Sequence, residues 1–592
     1  MDYRREIDGL RALAVVPVIL FHAGIEVFKG GFVGVDVFFV ISGYLITTII
    51  LSELEQKNFS IVKFYERRAR RILPALFIVM LSCLVVGYFT LMPDEFKNLG
   101  QSLVATSLFS NNIFLAITSG YWDLASEFKP LLHTWSLGVE EQYYVFIPFI
   151  LLFAWKYCKS RIPLILVCVF IGSFIFAVWF MAVSPQWAFY ILPARAWEIS
   201  IGGLASLFLR SNYQNLVSNR ASNLLSFIGL LFVVTSIFVI DKTISSLVFY
   251  LLIPTIGATL IIVFTRVGSF THFFLGHRSL VFLGLLSYSL YLWHQSVFAF
   301  LRIYSVEKPS IFAFIVSIVA IFVLSYLSWK FIETPFRNRK LINRYKIFYF
   351  SIVGNIFFIA CGFYLNISYG VPSRVFNSTI RVENIDKRIY NEKVFAYKLD
   401  SFSNDRRKKL LIIGDSFARD FTNITLETYN IQNVDIIYRD DIGRCIFPYK
   451  NSLSEQLFSK ANVIIFSTRD FKNDCIANDI KYAENNKKII FYVGTKNFGY
   501  NLNWLIRFDD IERRNRYNII SDNVLDIEYD MRDKIPPENY ISLLSYTLVS
   551  NKVPITDDFG HIISSDREHL TMYGAIYFGQ NLLNTPYSDI FK

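Results

Sequence analysis

The chain has 592 residues, of which 53% are hydrophobic, 17% aromatic and 18% charged, and its mean hydropathy is +0.39. Soluble domains carry about 25% charged residues, so this composition excludes a soluble cytoplasmic enzyme, a disordered chain, a collagen and a small disulfide-stabilised domain. The net charge of +11 arises before Gly370, where 29 Lys and Arg residues outnumber 18 Asp and Glu, whereas the remainder holds 30 of each. A nucleic-acid-binding protein, whose basic excess would lie on a soluble face, is therefore excluded as well.

Eleven apolar stretches before Gly370 are candidates for membrane spans, because about 20 apolar residues cross the hydrocarbon core. The first stretch contains Asp8, Arg11 and His22 and lacks a small-residue cleavage site, so we expect it to be retained rather than removed as a signal peptide. The predicted spans lie near residues 8–26, 34–52, 72–92, 138–155, 162–183, 194–209, 224–240, 245–264, 280–301, 311–331 and 347–367.

The loops between these spans differ in charge. If the N-terminus is cytoplasmic, the inner loops hold 20 Lys and Arg residues and the outer loops hold seven. Positive residues accumulate in cytoplasmic loops, so we expect this orientation. Because the number of spans is odd, the part of the chain after Gly370 is then expected outside the cytoplasm.

Two ionisable residues lie on one face of the first span. Arg11 and His22 are eleven residues apart, which at 100° per residue brings them to the same side of a helix, about 16 Å apart along its axis. A cation near the inner surface and an acid–base group at depth suit an elongated anionic cofactor. The alternative is that Arg11 reaches lipid phosphate and His22 forms a hydrogen bond with a neighbouring helix.

Four arginines within five residues stand at the inner end of the third span. Planar guanidinium groups bind phosphate through paired donors, so this cluster predicts a phosphate site. The alternative is an ordinary basic loop that contacts anionic lipid. The four residues are Arg67, Arg68, Arg70 and Arg71.

Other ionisable residues also fall inside predicted spans. Asp36 lies between glycines in the second span, where a carboxylate needs a partner such as His22 or an arginine. Taken singly, each such residue is more typical of a structural ion pair. The further candidates are Glu140 and Glu141, Arg195 with Glu198, His294 and Glu333.

These motifs together resemble the membrane acyltransferase-3 family over residues 1–340. The resemblance rests on Arg11-x10-His22, the Gly-Val-Asp-Val-Phe-Phe-Val-Ile-Ser-Gly run at 34–43, Arg68-x-x-Arg71, the Glu-Glu-Gln-Tyr run at 140–143 and Glu333-x-Pro335. It implies a multi-pass protein of the bacterial inner membrane that uses cytoplasmic acetyl-coenzyme A to acylate carbohydrate on the far side. It further implies that Arg11 and His22 are essential, that Arg68 and Arg71 serve the donor, and that Glu140 or Glu141 acts at the active centre.

The pattern changes after about Val371. We expect a linking helix within 341–370, an extracytoplasmic linker at 371–408 and a folded domain at 409–592. Short β-type runs at 410–413, 463–466 and 489–493 alternate with helical segments, which predicts a three-layer α/β fold with a parallel sheet.

Two local motifs of this domain suggest a catalytic triad. Ser416 follows a buried strand at a tight turn into a helix, where a serine hydroxyl is exposed beside backbone N–H donors. Asp566 precedes His569 by three residues, a spacing that lets the carboxylate hold the imidazole. Either motif alone is weak, but both in one α/β domain favour a nucleophile, a base and an orienting acid.

This arrangement resembles the SGNH hydrolase-like fold over residues 405–592. The resemblance implies that Gly443 contributes an N–H to an oxyanion hole. The asparagine expected at the end of the third strand is absent, because that segment reads Phe466-Ser467-Thr468-Arg469-Asp470. Arg469 is the residue implied in its place. The order of the two parts resembles bacterial O-acetyltransferases of surface glycans.

Cys445 and Cys475 are the two cysteines of the predicted outer domain. In an oxidising compartment they either pair or remain as free thiols, and the sequence leaves both alternatives open. Their spacing does not match a metal site, so no metal is expected.

These observations predict a membrane O-acyltransferase that moves acetyl from acetyl-coenzyme A to hydroxyls of a lipopolysaccharide O-antigen or similar glycan through Ser416. Asp36 is expected to orient His22, while His569 acts as base and Asp566 orients it. The expected partners are acetyl-coenzyme A, a carbohydrate acceptor and membrane lipid, with no nucleic acid and an undetermined oligomeric state. The alternatives are an acetyltransferase for peptidoglycan or exopolysaccharide, and a glycan esterase whose membrane part is an anchor or transporter.

Overall fold

The computed structural model describes residues 3–118, 124–211, 217–241, 247–376, 382–469, 475–509, 511–545 and 547–592. The chain divides into two compact units. The first, here called the membrane unit, comprises Met1–Phe89, Asn98–Arg302 and Pro309–Ile367. The second, here called the C-terminal unit, comprises Thr90–Lys97, Ile303–Lys308 and Ser368–Lys592.

Helices account for the regular structure of the described residues up to Ile367. Their bounds are α1 (Arg5–His22), α2 (Gly34–Glu55), α3 (Ile61–Thr90), α4 (Pro93–Ser107), α5 (Asn111–Thr118), α6 (Leu124–Glu127), α7 (Thr134–Tyr157), α8 (Ile162–Val183), α9 (Pro185–Tyr190), α10 (Leu192–Arg210), α11 (Asn219–Val239), α12 (Leu247–Phe264), α13 (Phe270–Leu275), α14 (Arg278–Tyr304), α15 (Ile311–Ser328), α16 (Thr334–Arg337) and α17 (Arg344–Ile367).

A long helix overlaps each of the eleven predicted spans, and the expected polytopic helical architecture is confirmed. Among the described residues, eight helices are long and apolar enough to cross a membrane by length and composition. The other three predicted spans correspond to α1, α10 and α14. These three helices bury ionisable side chains inside the unit, among them Arg195, Glu198 and His294. Residues 245 and 246, the first two of the predicted span at 245–264, lie outside the described part of the chain.

Glycines bring α2 and α10 into close contact. A Cβ added at Gly43 would lie 1.8 Å from the carbonyl oxygen of Ile199, and one at Gly202 would lie 2.0 Å from that of Val40. Small residues let helix backbones approach closely in membrane proteins. This contact is the structural reason for Gly43 at the end of the apolar run in α2.

The C-terminal unit contains a five-stranded parallel sheet in the order β2-β1-β3-β4-β6 and a separate antiparallel pair, β5 and β7. The strands are β1 (Lys408–Gly414), β2 (Val434–Arg439), β3 (Val463–Ser467), β4 (Ile489–Val493), β5 (Tyr517–Ile519), β6 (Tyr540–Ile541) and β7 (Lys552–Pro554). The helices are α18 (Val382–Ile385), α19 (Lys387–Glu392), α20 (Ser416–Thr428), α21 (Ser452–Lys460), α22 (Ile476–Asn485), α23 (Asp522–Lys534) and α24 (Met572–Leu582).

Alternate residues of β1 pack on opposite faces of the sheet. Leu410 and Ile412 belong to an apolar cluster with Phe421 of α20. Leu411 and Ile413 belong to a second cluster, together with side chains of α21 and α22. Side chains of a strand point alternately to its two faces, so helices cover both sides of the sheet. The predicted three-layer α/β architecture is therefore confirmed.

Much of the segment predicted as a linker packs into the core of the C-terminal unit. Ile385, Tyr390 and Val394 are buried in the same apolar cluster as β1. Residues 377–381 of the predicted linker lie outside the described residues. Polar composition predicted a linker, but these apolar side chains are spaced so that α18, α19 and the 3-10 turn at Lys393–Tyr397 bury them.

Candidate functional site

A cavity of about 250 Å³ lies inside the membrane unit, between α1, α2, α3, α7 and α14. Its walls are largely apolar, with Arg11, Arg68 and Arg71 as the basic residues and Glu140 as the acidic one. Tyr291 of α14 also lines it. An apolar cavity with a few convergent charges is typical of a ligand site.

Two of the four clustered arginines line this cavity, and helix geometry explains why. Arg68 and Arg71 are three residues apart on α3 and share a face, and the Arg68 guanidinium lies 5.3 Å from the Tyr144 ring centre. Arg11 enters from α1 and keeps one ion pair, with Asp8 at 3.2 Å. The two lining arginines of α3 are those that the acyltransferase-3 resemblance assigned to the donor.

Arg67 and Arg70 have other partners, which corrects their expected role in cofactor binding. Arg67 pairs with Glu53 at 2.9 Å. Arg70 is buried, pairs with Glu66 at 3.0 Å and donates to the carbonyl of Phe336 at 3.0 Å. Each helical residue is rotated by about 100° from the last, so four arginines in five residues cannot all face one cavity.

The adjacent glutamates of α7 differ in their surroundings. Glu140 lines the cavity and accepts hydrogen bonds from Ser42 at 3.1 Å and Tyr144 at 3.0 Å. Glu141 is buried, and its Oε1 has no hydrogen-bond partner among the described residues. The sequence could not separate the two residues, whereas the structure directs Glu140 to the cavity wall.

Asp36 pairs with Arg195 rather than with His22. Its Oδ1 lies 3.0 Å from the Arg195 guanidinium, which also binds Glu198 at 2.6 Å. All three side chains are buried. A full positive charge stabilises a buried carboxylate more than a neutral imidazole does. The expected role of Asp36 in orienting His22 is therefore corrected to a structural ion pair with Arg195.

Glu333, a further candidate of the sequence, also forms a structural ion pair. It binds Arg337 at 2.6 Å and accepts a hydrogen bond from Ser289.

Three histidines cluster next to Tyr291. The ring centre of His294 lies 5.1 Å from that of His22 and 5.5 Å from that of His133. Tyr291 lies 5.3 Å from His294 and 5.5 Å from His133, ring centre to ring centre. His133 was not singled out from the sequence, because its position just before α7 carries no pattern that relates it to α1 and α14.

Ser416 is the first residue of α20, and only Asp415 separates it from the carboxyl end of β1. Gly414 has a φ of +149°, and a Cβ there would lie 1.9 Å from the carbonyl oxygen of Ser467 at the end of β3. Asp415 caps α20 by accepting from the N–H of Phe417 at 2.9 Å. In parallel sheets, ligands bind beyond the carboxyl ends at the point where strand order reverses, which here lies between β1 and β3.

Asp566 and His569 are in direct contact. His569 Nδ1 lies 2.7 Å from Asp566 Oδ2, and the backbone N–H of His569 donates to Asp566 Oδ1 at 2.9 Å. An ionised carboxylate only accepts hydrogen bonds, so Nδ1 carries the hydrogen and Nε2 is free to act as a base. Both side chains are partly exposed to solvent.

A buried lysine that sequence reasoning missed ties the histidine segment to α20. Lys496, after β4, lies 2.7 Å from Asp420 and 3.8 Å from the ring centre of Phe417, and it donates to the carbonyl of Glu568. The N–H of Leu570, next to His569, donates to the same Asp420 carboxylate at 3.0 Å. These bonds hold the segment around His569 against the first turns of the helix that begins at Ser416.

The oxyanion candidates lie in loops that contact the Ser416 turn. Arg469 pairs with Glu568 at 2.8 Å, and its backbone N–H lies 3.4 Å from Asp415 Oδ2. Gly443 has a φ of +103°, and the Arg444 guanidinium beside it lies 3.4 Å from the same oxygen. Asp470, the last residue of the segment considered in the sequence, lies outside the described residues.

A disulfide joins Cys445 and Cys475, which are 30 positions apart in the sequence, with 2.03 Å between the sulfurs. It links the loop of Gly443 to the start of α22. Asp479 of α22 is buried and accepts from the N–H of Ile446 at 3.0 Å and from the hydroxyl of Tyr492 at 3.3 Å. Burial raises the pKa of the Asp479 carboxyl to about 6.

A second Asp–His contact occurs in the same unit. His561 Nδ1 lies 2.9 Å from Asp557 Oδ2, and the His561 ring stacks on Tyr573 with 4.0 Å between ring centres. The sequence did not single out this pair. The Lys496 and Asp420 contacts adjoin His569 and not His561, which makes His561 a matched comparison for the candidate base.

Comparison with known proteins identifies a family that matches part of the chain, and similar proteins from two bacteria. Residues 4–330 match a family described as "Acyltransferase domain". The chain is 32% identical over 363 residues to the peptidoglycan O-acetyltransferase OatA of Listeria monocytogenes, with 58% of each chain covered. It is 31% identical over 356 residues to the O-acetyltransferase OatA of Staphylococcus aureus, covering 57% of this chain and 58% of that protein. The chain thus matches about 58% of the length of these relatives, and no solved structure matches it.

Proposed function

The chain belongs to the acyltransferase family that its residues 4–330 match, and we propose that it is a membrane O-acetyltransferase acting on a cell-wall glycan. The observation that carries this proposal is the cavity of the membrane unit. Arg11, Arg68 and Arg71 line it, and Tyr291 separates it from the histidine cluster. The arginines give the site a charged end that suits phosphate, and the histidines give it an acid–base end that suits a thioester. Acetyl-coenzyme A has both groups and is the proposed donor.

The roles of the cavity residues follow from their chemistry. Arg68 and Arg71 bind phosphate oxygens of the donor through guanidinium donors. Arg11 adds a third positive charge in a low-dielectric site, where charges act more strongly than in water. Glu140 holds Ser42 and Tyr144 in place at the wall. His22 then assists transfer of the acetyl group to an acceptor hydroxyl.

In the C-terminal unit we propose a second transfer through Ser416. His569 Nε2 takes the proton of the Ser416 hydroxyl, whose oxygen receives the acetyl group as an ester. Asp566 holds the imidazole in the required tautomer and stabilises the imidazolium. A sugar hydroxyl, deprotonated by the same histidine, then attacks the ester and releases the serine. The N–H of Ser416 at the start of α20, with Gly443 and Arg469, would stabilise the oxyanion.

Chain connectivity supports an extracytoplasmic location for the C-terminal unit. The chain passes between the two units after Phe89, Lys97, Arg302, Lys308 and Ile367. Each of these points lies in, or within a few residues of, a segment that the charge distribution of the sequence predicts to be outside. The proposed location is the cytoplasmic membrane, with the N-terminus inside.

For the acceptor, we propose a peptidoglycan sugar. The named activity of the Listeria relative is peptidoglycan O-acetylation, which supports the alternative considered from the sequence over lipopolysaccharide O-antigen. A glycan esterase with a membrane anchor is less consistent with the molecule, because an anchor requires neither a cavity lined by three arginines nor a cluster of three histidines beside it.

The proposal is tested with membranes that contain the full-length chain, labelled acetyl-coenzyme A and isolated peptidoglycan. We expect labelled glycan with the unmodified chain and less than a hundredth of that label with His22→Ala or Ser416→Ala. His561→Ala is the matched control and should retain the activity. Full labelling in both variants would refute the relay. In a parallel assay with lipopolysaccharide supplied instead, label on O-antigen but none on peptidoglycan would refute the acceptor.

A further inference from the structure

The hydrogen bonds of the His22 and His294 imidazoles define their tautomers. Nδ1 of His22 lies 2.9 Å from the carbonyl oxygen of Val18, and Nδ1 of His294 lies 2.6 Å from that of Tyr291. A carbonyl oxygen only accepts hydrogen bonds, so each Nδ1 carries the hydrogen. Nε2 of each ring therefore carries a lone pair, which can accept a proton.

The histidines around His22 lack the partners that buried polar groups normally have. His294 is fully buried, and its Nε2 has no hydrogen-bond partner among the described residues. His133 is 2% exposed, and neither of its ring nitrogens has a partner within the same set of residues. Burying a polar atom without a hydrogen-bond partner lowers the stability of the fold. Two neighbouring rings with such atoms therefore indicate a site at which a reacting group or its proton binds to the ring nitrogens.

The cluster lies beyond one end of the cavity. On α14 the cavity residues Ser287 and Tyr291 precede His294, and on α7 the cavity residue Ser136 follows His133. Tyr291 forms the partition between them, because it lines the cavity, contacts both rings and donates to the carbonyl of His133 at 2.9 Å. On α1, Arg11 lines the cavity and His22 ends the helix. On α1 and α14, and at the start of α7, the histidine is thus displaced along the helix axis from the cavity.

We propose that His294 is a second proton-transfer residue of the membrane unit and acts as a pair with His22. This inference rests on the acetyl transfer proposed above. Their ring centres are 5.1 Å apart, close enough for a proton to pass between the Nε2 atoms after small ring movements. His133, 5.5 Å from His294, is a third neutral ring that stabilises the charge while the proton is held.

One proton passes through both rings during the proposed acetyl transfer. His22 Nε2 takes the proton of the acceptor hydroxyl as its oxygen attacks the thioester carbonyl, and a C–O bond forms. The C–S bond breaks, and the thiolate of coenzyme A leaves. The proton passes from His22 to His294, which delivers it to the sulfur, so both imidazoles return to their neutral form. The products are an acetyl ester and a free thiol, with no oxidant or metal required.

Arg302 holds the end of α1 at His22. Its Nη2 donates to the carbonyl of His22 at 2.7 Å, and its Nε lies 3.1 Å from Glu127. These contacts fix the backbone of His22 while its ring lies against His294.

The experiment uses full-length protein in membrane vesicles with acetyl-coenzyme A and peptidoglycan, and measures release of the coenzyme A thiol. His294→Asn keeps a donor for the Tyr291 carbonyl but removes the Nε2 position. We expect it to lower kcat by about 100-fold or more with KM for acetyl-coenzyme A unchanged, the usual size of an acid–base contribution. His294→Gln, which restores a polar atom near Nε2 but no base, should be equally impaired. His277→Asn, at an exposed histidine of the same unit, is the matched control and should leave kcat unchanged.

A double variant provides a second test. If one proton passes through both rings, His22→Asn combined with His294→Asn should lose no more activity than the more impaired single variant, because residues that act as a unit are not additive, whereas independent roles would multiply the two losses. Multiplied losses, or a His294→Asn enzyme with kcat within threefold of normal, would overturn the inference. Absence of thiol release from the unmodified chain would instead contradict the proposed function itself.

Discussion

His569 in the C-terminal unit and His22 and His294 in the membrane unit differ in the group that holds Nδ1. His569 is held by the carboxylate of Asp566, whereas the other two are held by backbone carbonyls. A carboxylate stabilises an imidazolium, which suits a base in a partly exposed site. Inside a membrane, an extra carboxylate would have to be desolvated, and Asp36 is instead neutralised by Arg195. Under the proposed function, the two units would achieve acid–base chemistry by different means, one with a fixed counter-charge and one by passing a proton between rings.

The largest effect expected from this comparison comes from Asp566→Asn. It should lower acetyl transfer to glycan by about 10³- to 10⁴-fold, because the amide favours the wrong imidazole tautomer. Asp557→Asn, at the second Asp–His pair, is the matched control and should remain within about twofold of normal activity. Transfer of labelled acetyl to peptidoglycan measures both. Equal losses in the two variants would show that the two carboxylates act structurally.

The next effect concerns the buried ion pair that anchors His569. Lys496→Met leaves the carboxylate of Asp420 buried without its cation, which should cost about 3–5 kcal/mol of stability. The double variant Lys496→Met with Asp420→Leu should regain most of that stability but remain slower than normal, since the His569 segment loses two anchors. Urea unfolding of the detergent-solubilised full chain and the acetyl-transfer assay separate the two outcomes. Normal activity in the double variant would mean that the pair does not position His569.

A smaller effect is expected in the cavity of the membrane unit. Arg71→Gln removes a charged donor, and the KM for acetyl-coenzyme A should rise about 10- to 100-fold, as charged hydrogen bonds contribute about 1.5–3 kcal/mol. Arg67→Gln should leave KM unchanged, because Arg67 pairs with Glu53 outside the cavity wall. Initial rates over a range of donor concentrations give both values. If Arg67→Gln raised KM as much as Arg71→Gln, the basic charge of the region as a whole would bind the donor.

The smallest effect is a pH dependence in the C-terminal unit. The pKa of Asp479 is raised in the folded state to about 6, so the folded unit binds more protons than the unfolded chain between roughly pH 4 and 6. Stability contributed by protonated Asp479 is therefore present at low pH and lost as the pH rises through about 6, by roughly 1–2 kcal/mol. Asp479→Asn should flatten this slope in urea unfolding of the full chain measured from pH 4 to pH 7. An unchanged slope would assign the pH dependence to other groups.

The positions of the helical spans and of the Ser416 turn could be predicted from the sequence because both depend on local pattern. A membrane helix must satisfy its own backbone hydrogen bonds and present apolar side chains over about 20 residues, so each span is visible in one stretch of chain. The contact between Asp566 and His569 likewise follows from three-residue spacing. In the same way, the position of Ser416 could be predicted from the strand, turn and helix pattern around it.

Tertiary structure decided which charges meet. Two of four clustered arginines reach the cavity because the rotation of α3 is set by packing against its neighbours, and Asp36 bonds Arg195, a residue 159 positions away. His133 joins His22 and His294 only because three helices far apart in sequence converge behind Tyr291, and Lys496 reaches Asp420 only across the sheet. Local pattern specifies elements and the residues at their ends, whereas the pairing of buried charges depends on long-range packing that no single stretch of sequence encodes.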